Sequence, residues 1–564
     1  MKIYNFILSG LIAFIGLSSC NDDLFDIKPA DKFTEESVFT NEESLELYVN
    51  GCYSGFYTFG LLGWWFYVPT DLFTSPLSDE SYAKFEFWEV DPVNQALTLG
   101  PSSMACFANK WSESYSSIRN CNVYLKNLPL TKDLDQDFVN RCTDEVKFIR
   151  SYVYFDLLSY FGGVPLVKTT ADLNNYEDYI VPRNTPEEVV DFIVSEMDDI
   201  IKNKALPASY LACDESYKGR VTLAAAYALK AKALLYIASP LFNPNNDIKR
   251  WEAAAKANKE SIDFAIDNGH DLFPDYSQLI ITPFNEEIIF SRSYSSDEFD
   301  GGLYRSQLDT YLNSPSNGGW CSLCPTQAQV DSYETTEGKK ITDPTSGYKL
   351  EKFWENRDPR FYASILYDGA IWKGKEIETF MPGGIDSSDG PVGGWNYSIT
   401  GYYVRKLIKE DVEQKDYDTR EGTMQHKVIF RLGGMYLDYA ECLMNIGDEN
   451  GARSYINKVR DRVSMPKIQD SGNVLKERYI NERRVELFLE GHRWFDLRRW
   501  NLAHEVLDGF AVKGIDIKKK DDGQKEYQIV NRGTYYFPEH YNLVPIPLTE
   551  IEKSRNVLIQ NPGY

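Results

Sequence analysis

The side chains best suited to bind a ligand are aromatic rings that follow glycines in segments without helical periodicity. Four rings at 64–67 follow Gly60 and Gly63, and Trp320 follows Gly318 and Gly319. Such rings stack on the C–H faces of sugars, and carboxylate or guanidinium groups beside them could hold hydroxyls. The candidate binding residues are Trp64, Trp65, Tyr67, Asp71, Trp88, Trp320, Trp395 and Arg405. The alternative for each ring is that it packs its own loop onto the protein body.

The sequence lacks the common catalytic and phosphate-binding motifs. G-x-x-x-x-G-K-[ST], H-E-x-x-H and G-x-S-x-G are absent, and the five histidines are scattered. A glycosidase needs two carboxylates that flank the scissile bond. The 84 Asp and Glu residues leave such a pair open, although no motif singles one out. We therefore predict a binding protein and not an enzyme, with no metal and no cofactor.

Eight cysteines remain besides Cys20, too few in a chain of this length for a disulfide scaffold. Cys321 and Cys324 are the only close pair, and no second pair or nearby histidine completes a zinc site. The sequence leaves two interpretations of this pair, a local disulfide or two free thiols in a loop.

The N-terminus predicts export and lipid anchoring. An apolar run from Phe6 to Leu17 is too short to span a bilayer and fits a secretory signal. It ends in Leu17-Ser18-Ser19-Cys20, which resembles a bacterial lipobox, in which the cysteine is acylated after cleavage before it. We expect residues 1–19 to be a signal peptide and 20–40 to be a lipidated cysteine with its tether. The alternative is an ordinary signal peptide with a chance cysteine.

The charge of the chain excludes some partners. The chain has 60 Lys and Arg against 84 Asp and Glu, a formal net charge of −24. Nucleic acids require basic patches, and anionic lipid surfaces attract basic segments. A neutral small partner fits this composition, and no nucleic acid is expected.

The sequence predicts that the part of the chain that positions these rings is a helical body. Helices are predicted over 41–56, 111–128, 144–161, 186–201, 222–238 and 251–266 from apolar periodicity, capping residues and terminators such as Gly162-Gly163. Residues 436–460 carry Ala440, Gly447 and Ala452 at the small-residue spacing of a tetratricopeptide repeat. One repeat cannot bury its face alone, so we expect about four stacked helix pairs.

Two stretches, 57–105 and 270–425, interrupt the helical pattern. They are rich in Gly, Pro, Ser, Asn and Asp, and they carry most of the candidate rings. Loops held on a rigid scaffold are common sites of function. The predicted fold is a mostly α, tetratricopeptide-type helical repeat body over 41–564, with these two long irregular excursions carrying short strands.

Several segments together resemble the SusD/RagB family. They are Cys20 with Asn21-Asp22-Asp23, the helix and Gly-Gly-Val-Pro exit within 145–167, Pro325-Thr326-Gln327, 331–334, 357–360, the signature at 480–500, and the ending 560–564. The resemblance covers nearly the whole mature chain.

The resemblance implies a surface-exposed, lipid-anchored protein of the outer membrane. Such a protein captures an oligosaccharide or polysaccharide and passes it to a SusC-like TonB-dependent transporter, over whose mouth it sits as a lid. A peptide-binding uptake lipoprotein on the same scaffold is the alternative, and a glycan-degrading enzyme is a third.

The signature at 480–500 alternates acidic and basic residues between core positions such as Val485, Leu489 and Trp494. These charges could form a site. Their interleaving with apolar residues favours ion pairs, three or four residues apart, that join one helix to its neighbours.

Overall fold

The computed structural model describes residues 35–53, 74–85, 90–94, 99–172, 174–293, 308–392, 394–411 and 426–564. None of the helices in these ranges is long and apolar enough to cross a bilayer.

Helices form most of the regular structure. In chain order they are α1 Glu35–Phe39, α2 Glu42–Cys52, α3 Asp91–Asn94, α4 Lys110–Asn127, α5 Gln136–Phe161, α6 Pro186–Asn203, α7 Leu223–Ala238, α8 Ile248–Asp267, α9 Leu308–Leu312, α10 Gln327–Ser332, α11 Pro359–Ser364, α12 Leu432–Asn445, α13 Glu449–Arg462, α14 Gly472–Glu486, α15 Arg493–Arg499, α16 Ala503–Leu507 and α17 Leu548–Lys553.

The long helices form one continuous stack. Helices α4 to α8 pack each against the next, α8 packs against α12, and α12, α13 and α14 follow in the same way. These eight helices make four pairs, which confirms the predicted repeat body. Because α8 and α12 touch, the described residues between 268 and 431 form an insertion in the stack, in the part of the chain where we predict the second excursion.

Local sequence explains where the helices begin and end. Thr185 and Glu188 form a capping box at the start of α6, with Pro186 in its first turn. At the C-terminal end of α5, Gly162 has a φ of 77°, and its backbone N–H donates to the carbonyl of Leu158. Ala440 is completely buried, which lets α12 lie close to its neighbours.

The strands form two-stranded antiparallel sheets throughout the described residues. They are β1 Ser81–Ala83, β2 Ile288–Ser293, β3 Leu323–Pro325, β4 Ile365–Leu366, β5 Ile371–Trp372, β6 Lys375–Glu376, β7 Tyr403–Val404, β8 His426–Arg431, β9 Ala511–Lys519 and β10 Lys525–Thr534. The pairs are β1–β3, β2–β8, β4–β7, β5–β6 and β9–β10.

The longest strands lie outside the predicted excursions. The hairpin of β9 and β10 pairs Ala511 with Thr534 and Lys519 with Lys525, after the signature and not in 270–425. Its sequence signal is present, because Ile515 and Ile517 alternate with polar residues before a turn that contains Gly523.

The charged signature is structural, as expected, although most of its partners are far away in sequence. Glu486 is fully buried and pairs with Arg360, Arg431 and Arg462. Within the signature, Arg499 and Asp496 form a pair three residues apart. The prediction of ion pairs was correct, and the prediction of mainly local spacing was wrong.

This buried ionic cluster ties the insertion to the stack. Its members are Arg360, Lys406, Arg431, Arg460, Arg462 and Arg478 with Glu287, Glu334, Asp358, Glu482, Glu486 and Glu490. Burial alone raises the pKa of Glu486, but the attraction of its three guanidinium partners outweighs burial and holds that pKa well below its usual range.

Candidate functional site

The two excursions meet at a short sheet. Strand β1, from the first excursion, pairs with β3, from the second, with Ser81 opposite Pro325 and Ala83 opposite Leu323. One residue further on, the backbone N–H of Lys84 donates to the carbonyl of Ser322 at 3.0 Å. This pairing brings the side chain at position 85 to the turn that carries Trp320.

A tight turn sets the position of Trp320. Gly318 has a φ of 74° in the left-handed region. A Cβ at Gly319 would lie 2.1 Å from the carbonyl oxygen of Asn313, so no larger residue fits there without a backbone shift. The N–H of Trp320 then donates to the carbonyl of Thr310 at 2.8 Å. Glycine is therefore required at this turn by close backbone approach.

Four rings from both excursions form one cluster, the aromatic platform, defined as Phe85, Tyr311, Trp320 and Trp395. The ring centroids of Phe85 and Trp395 lie 5.9 Å apart, those of Trp320 and Trp395 5.8 Å, and those of Tyr311 and Trp320 5.3 Å. Tyr311 is buried, Phe85 and Trp320 are partly buried, and Trp395 is 50% exposed. The buried rings therefore support an outer ring that faces solvent.

The loop that carries Trp395 is held by polar contacts. The Asn396 side-chain amide donates to the carbonyl of Gly319 at 2.7 Å, which joins the loop to the Trp320 turn. The Lys84 ammonium donates to the carbonyl of Tyr397 and lies 3.9 Å from the centre of its ring. Burial lowers the pKa of Lys84. Both excursions thus fix this loop.

The same loop borders a polar hollow of about 160 Å³. Its lining includes Thr379, Asp386, Ser387, Ser388, Tyr397, Asp516 and Arg532. Asp516 lies on β9 and forms an ion pair with Arg532 on β10. Hairpin β9–β10 also supports the wall of the hollow, since the N–H of Met381 donates to the carbonyl of Ile517 at 2.8 Å. The loop that carries the Trp395 ring therefore also borders the polar groups of the hollow.

The carboxylate of Asp386 holds this wall together. It accepts hydrogen bonds from the N–H of Ser316 at 2.8 Å, from the Ser316 hydroxyl at 3.0 Å and from the N–H of Glu378 at 3.2 Å. Burial raises the pKa of Asp386, and these donors oppose the rise. Since both of its oxygens are occupied, Asp386 orders the backbone around the hollow.

Comparison with known proteins identifies the family. The sequence profile of the SusD family matches residues 286–564, and a profile described as starch-binding, associating with the outer membrane, matches residues 73–235. The chain belongs to the SusD family.

The likeness to individual SusD-like proteins extends over nearly the whole chain. A SusD-like protein of Formosa agariphila is 24% identical over 527 residues, which cover 88% of this chain and 91% of that protein. The crystal structure of a SusD-like protein from Bacteroides fragilis has 26% identity and a TM-score of 0.75, covering 95% of this chain and 100% of that one. Another from the same species, described as a SusD-like carbohydrate binding protein, has 24% identity and a TM-score of 0.76, covering 93% and 99%.

Of the three predicted binding residues that the structure describes in this SusD-family chain, Trp320 and Trp395 come together. Arg405 lies elsewhere: its guanidinium donates to the carbonyl of Tyr362 at 2.9 Å and lies 5.3 Å from the ring centre of Trp372. The residues Cys20, Trp64, Trp65, Tyr67, Asp71 and Trp88 lie outside the described ranges.

Sequence reasoning did not include Tyr311 or the residues that line the hollow among the candidates, and it also missed Phe85 and Lys84. Phe85 and Lys84 follow directly on β1, and no glycine precedes them. The sequence feature that could have indicated them is the short run from Ser81, in which residues alternate as in a β-strand.

Several other aromatic rings in the loops are buried in the protein core. Trp372, Tyr402 and Tyr403 are at most 1% exposed, and the Trp372 indole N–H donates to the Asn313 side chain at 2.8 Å. Of the eight tryptophans that the structure describes, only Trp395 is as much as half exposed.

A larger cleft, of about 410 Å³, lies between α4 and the C-terminal segment of this SusD-family chain. Its rings already belong to the body. Trp111 is 4% exposed and packs edge-on against Phe161, and the Tyr115 hydroxyl donates to the carbonyl of Pro165 at 2.9 Å. Because neither of these rings is as exposed as Trp395, we regard the smaller site at the platform as the better candidate.

In the described part of the chain, no three His, Cys, Asp or Glu side chains lie close enough together to hold a metal ion.

Proposed function

We propose that this protein binds oligosaccharides at the aromatic platform. The observation that supports the proposal is the exposure of Trp395, whose ring is half open to solvent while Phe85 and Trp320 support it from two different excursions. A rigid, supported ring offers a large apolar face for the C–H side of a sugar at little cost in conformational entropy. A ring that only filled the core would be buried.

The polar hollow supplies the complementary chemistry. Ser388, Asp516 and Arg532 line it together with Tyr397, which follows Trp395 by two residues in the same loop. Hydroxyl, carboxylate and guanidinium groups can exchange hydrogen bonds with sugar hydroxyls. The net charge of −24 favours neutral glycans, since a polyanionic glycan would be repelled. The family profile over residues 73–235, described as starch-binding, supports the same ligand class.

Binding without catalysis fits the carboxylates of the hollow. A glycosidase needs one carboxyl group to act as acid and a second to act as base or nucleophile. Asp386 accepts three hydrogen bonds from the protein, and Asp516 pairs with Arg532. Both groups are committed to holding the site, so we propose that the protein captures its ligand and does not cleave it.

The cellular role extends this proposal. We propose that Cys20 carries the lipid anchor at the outer membrane and that the captured glycan passes to a SusC-like TonB-dependent transporter. The support is Leu17-Ser18-Ser19-Cys20 and a family profile described as associating with the outer membrane.

A glycan array and a peptide array, probed with the labelled chain 21–564, test the ligand class. We expect binding to neutral oligosaccharides and no binding to peptides. Binding to peptides alone would contradict the proposal and favour the alternative of peptide uptake. Chromatography of each bound glycan after incubation should recover it intact, and shortened products would show that the protein is an enzyme.

A further inference from the structure

Two thiols face each other directly beneath the platform. The Sγ atoms of Cys321 and Cys324 lie 3.5 Å apart, and both side chains are completely buried. Cys321 follows Trp320 in the chain, and Cys324 lies on β3, opposite Tyr82. This pair therefore occupies the junction between the ring-bearing turn and the strand that joins the two excursions.

The surroundings of Cys324 favour the thiolate over the thiol. Burial alone raises its pKa, but hydrogen bonds from the Cys321 thiol and from Ser398, with the nearby Lys84 ammonium, lower it to about 6. Burial and the hydrogen bond to Cys324 raise the pKa of Cys321. One sulfur is thus stabilised as the thiolate, which is the nucleophile of the exchange reaction, and its neighbour keeps a proton.

We propose that Cys321 and Cys324 close to a reversible disulfide that fixes the turn carrying Trp320. The oxidant is a disulfide-bearing thiol compound or protein, as is met by exported chains. Because both cysteines are completely buried, the exchange takes place when the Trp320 turn opens. The Cys324 thiolate then attacks one sulfur of that disulfide and releases the first thiolate. The Cys321 sulfur then attacks Cys324 and releases the second thiolate, which takes the Cys321 proton. Two protein thiols are oxidised and one external disulfide is reduced.

Closure must rotate the two cysteine side chains and draws on the backbone of the turn that holds them. The two sulfurs have to approach from 3.5 Å to about 2.05 Å, the length of a disulfide bond. The backbone around Cys321 is already constrained, with a φ of 48° in the left-handed region. Its neighbours Trp320 and Ser322 carry the contacts to the platform and to Lys84. Oxidation therefore acts next to Trp320, the ring that supports Trp395, and should change the affinity for the glycan. This expected change in affinity rests on the proposed function.

Two other cysteines, Cys213 and Cys442, serve as controls for the pair of Cys321 and Cys324. Cys213 is partly exposed and, among the described residues, has no sulfur partner, whereas Cys442 is buried alone in the stack. An oxidant that reaches the protein should attach to Cys213 as a mixed disulfide. Cys52 and Cys121 form a second buried thiol pair. A disulfide confined to Cys321 and Cys324 therefore requires the geometry of that particular pair.

Peptide mapping by mass spectrometry tests the proposal on chain 21–564. The protein is incubated with oxidised glutathione or with a phosphine reductant, then unfolded and alkylated with N-ethylmaleimide. After oxidation we expect the peptide with both cysteines to be unalkylated and lighter by two hydrogen atoms, with full alkylation after reduction. Alkylation of both cysteines in the oxidised sample, while Cys213 carries glutathione, would overturn the proposal.

Matched variants and a binding measurement complete the test. Cys213→Ser should leave the disulfide intact, and Cys324→Ser should leave Cys321 open to alkylation. With a glycan that the array identifies, oxidised and reduced wild type should differ in affinity by about twofold or more, and Cys324→Ser should not respond to oxidant. A disulfide without any change in affinity would overturn the coupling to the platform. A disulfide in a chain that binds no glycan would refute the proposed function alone.

Discussion

The buried ionic cluster makes a strong prediction about stability. Glu486→Gln keeps the shape of the side chain and removes its charge. Glu486 is 0% exposed, and its oxygens lie 3.0 Å from Arg360 and 2.8 Å from Arg431, with Arg462 in contact as a third partner. The amide leaves an excess positive charge in the interior. Removing one partner of a buried ion pair costs about 3–5 kcal/mol, so we expect a loss of that size at pH 7.

The pH dependence of this loss has a defined sign. The pKa of Glu486 is depressed in the folded state, so its contribution is fully present above the unfolded value of 4.5 and is lost as the pH falls further. The difference between wild type and Glu486→Gln should therefore be constant from pH 8 to about pH 5 and should shrink in acid.

Urea unfolding followed by tryptophan fluorescence measures both effects. Glu477→Gln is the matched control, because Glu477 pairs with Lys340 at 3.2 Å while both side chains are more than half exposed. Exposed pairs contribute about 0–1 kcal/mol, so this control should unfold like wild type. If Glu486→Gln lost less than about 1 kcal/mol, the cluster would not hold the insertion to the stack as we argue.

Three further predictions concern other parts of the molecule. Burial raises the pKa of Glu80 from 4.5 to about 7, so its contribution to stability is fully present below pH 4.5 and is lost as the pH rises to about 7; roughly 1.4 kcal/mol of that loss falls between pH 6 and pH 9, and Glu80→Gln should abolish it in urea titrations at those two pH values. Gly319→Ala places a Cβ 2.1 Å from the carbonyl oxygen of Asn313; it should lower stability by about 2 kcal/mol or more in urea and weaken retention on glycan gels. Cys20→Ala should move the protein from salt-washed membranes to the soluble fraction, and a variant that stays in the pellet would exclude lipidation as the anchor.

The helical body follows from local sequence because its signals are local. The capping box of Thr185 and Glu188, the glycine exit at Gly162 and the small residue Ala440 each act within a few residues of their own position. For that reason the stack and the limits of the insertion were predictable. Hairpin β9–β10 also had a local signal, in the alternation before Gly523.

The site depends on contacts that no local pattern contains. Phe85 meets Trp395 across 310 positions of the chain, and Arg431 meets Glu287 across 144. The glycine-flanked rings included Trp320, which does support the platform, but composition could not separate Trp395 from the buried Trp372. The register of β1 on β3 brings Phe85 to the platform, and contacts between distant loops decide that Trp395 is exposed and Trp372 is buried.

Calorimetric binding of the array-identified glycan to Trp395→Ala, measured together with the melting temperature, tests the central claim most directly. Tyr536→Ala is the matched control, because Tyr536 is 53% exposed and is not part of the platform. We expect Trp395→Ala to weaken binding by about 1–3 kcal/mol, roughly 5-fold to 150-fold, with an unchanged melting temperature. The control should bind like wild type. Unchanged affinity in Trp395→Ala, with the chain folded and the glycan bound by wild type, would contradict the account and place the binding site elsewhere.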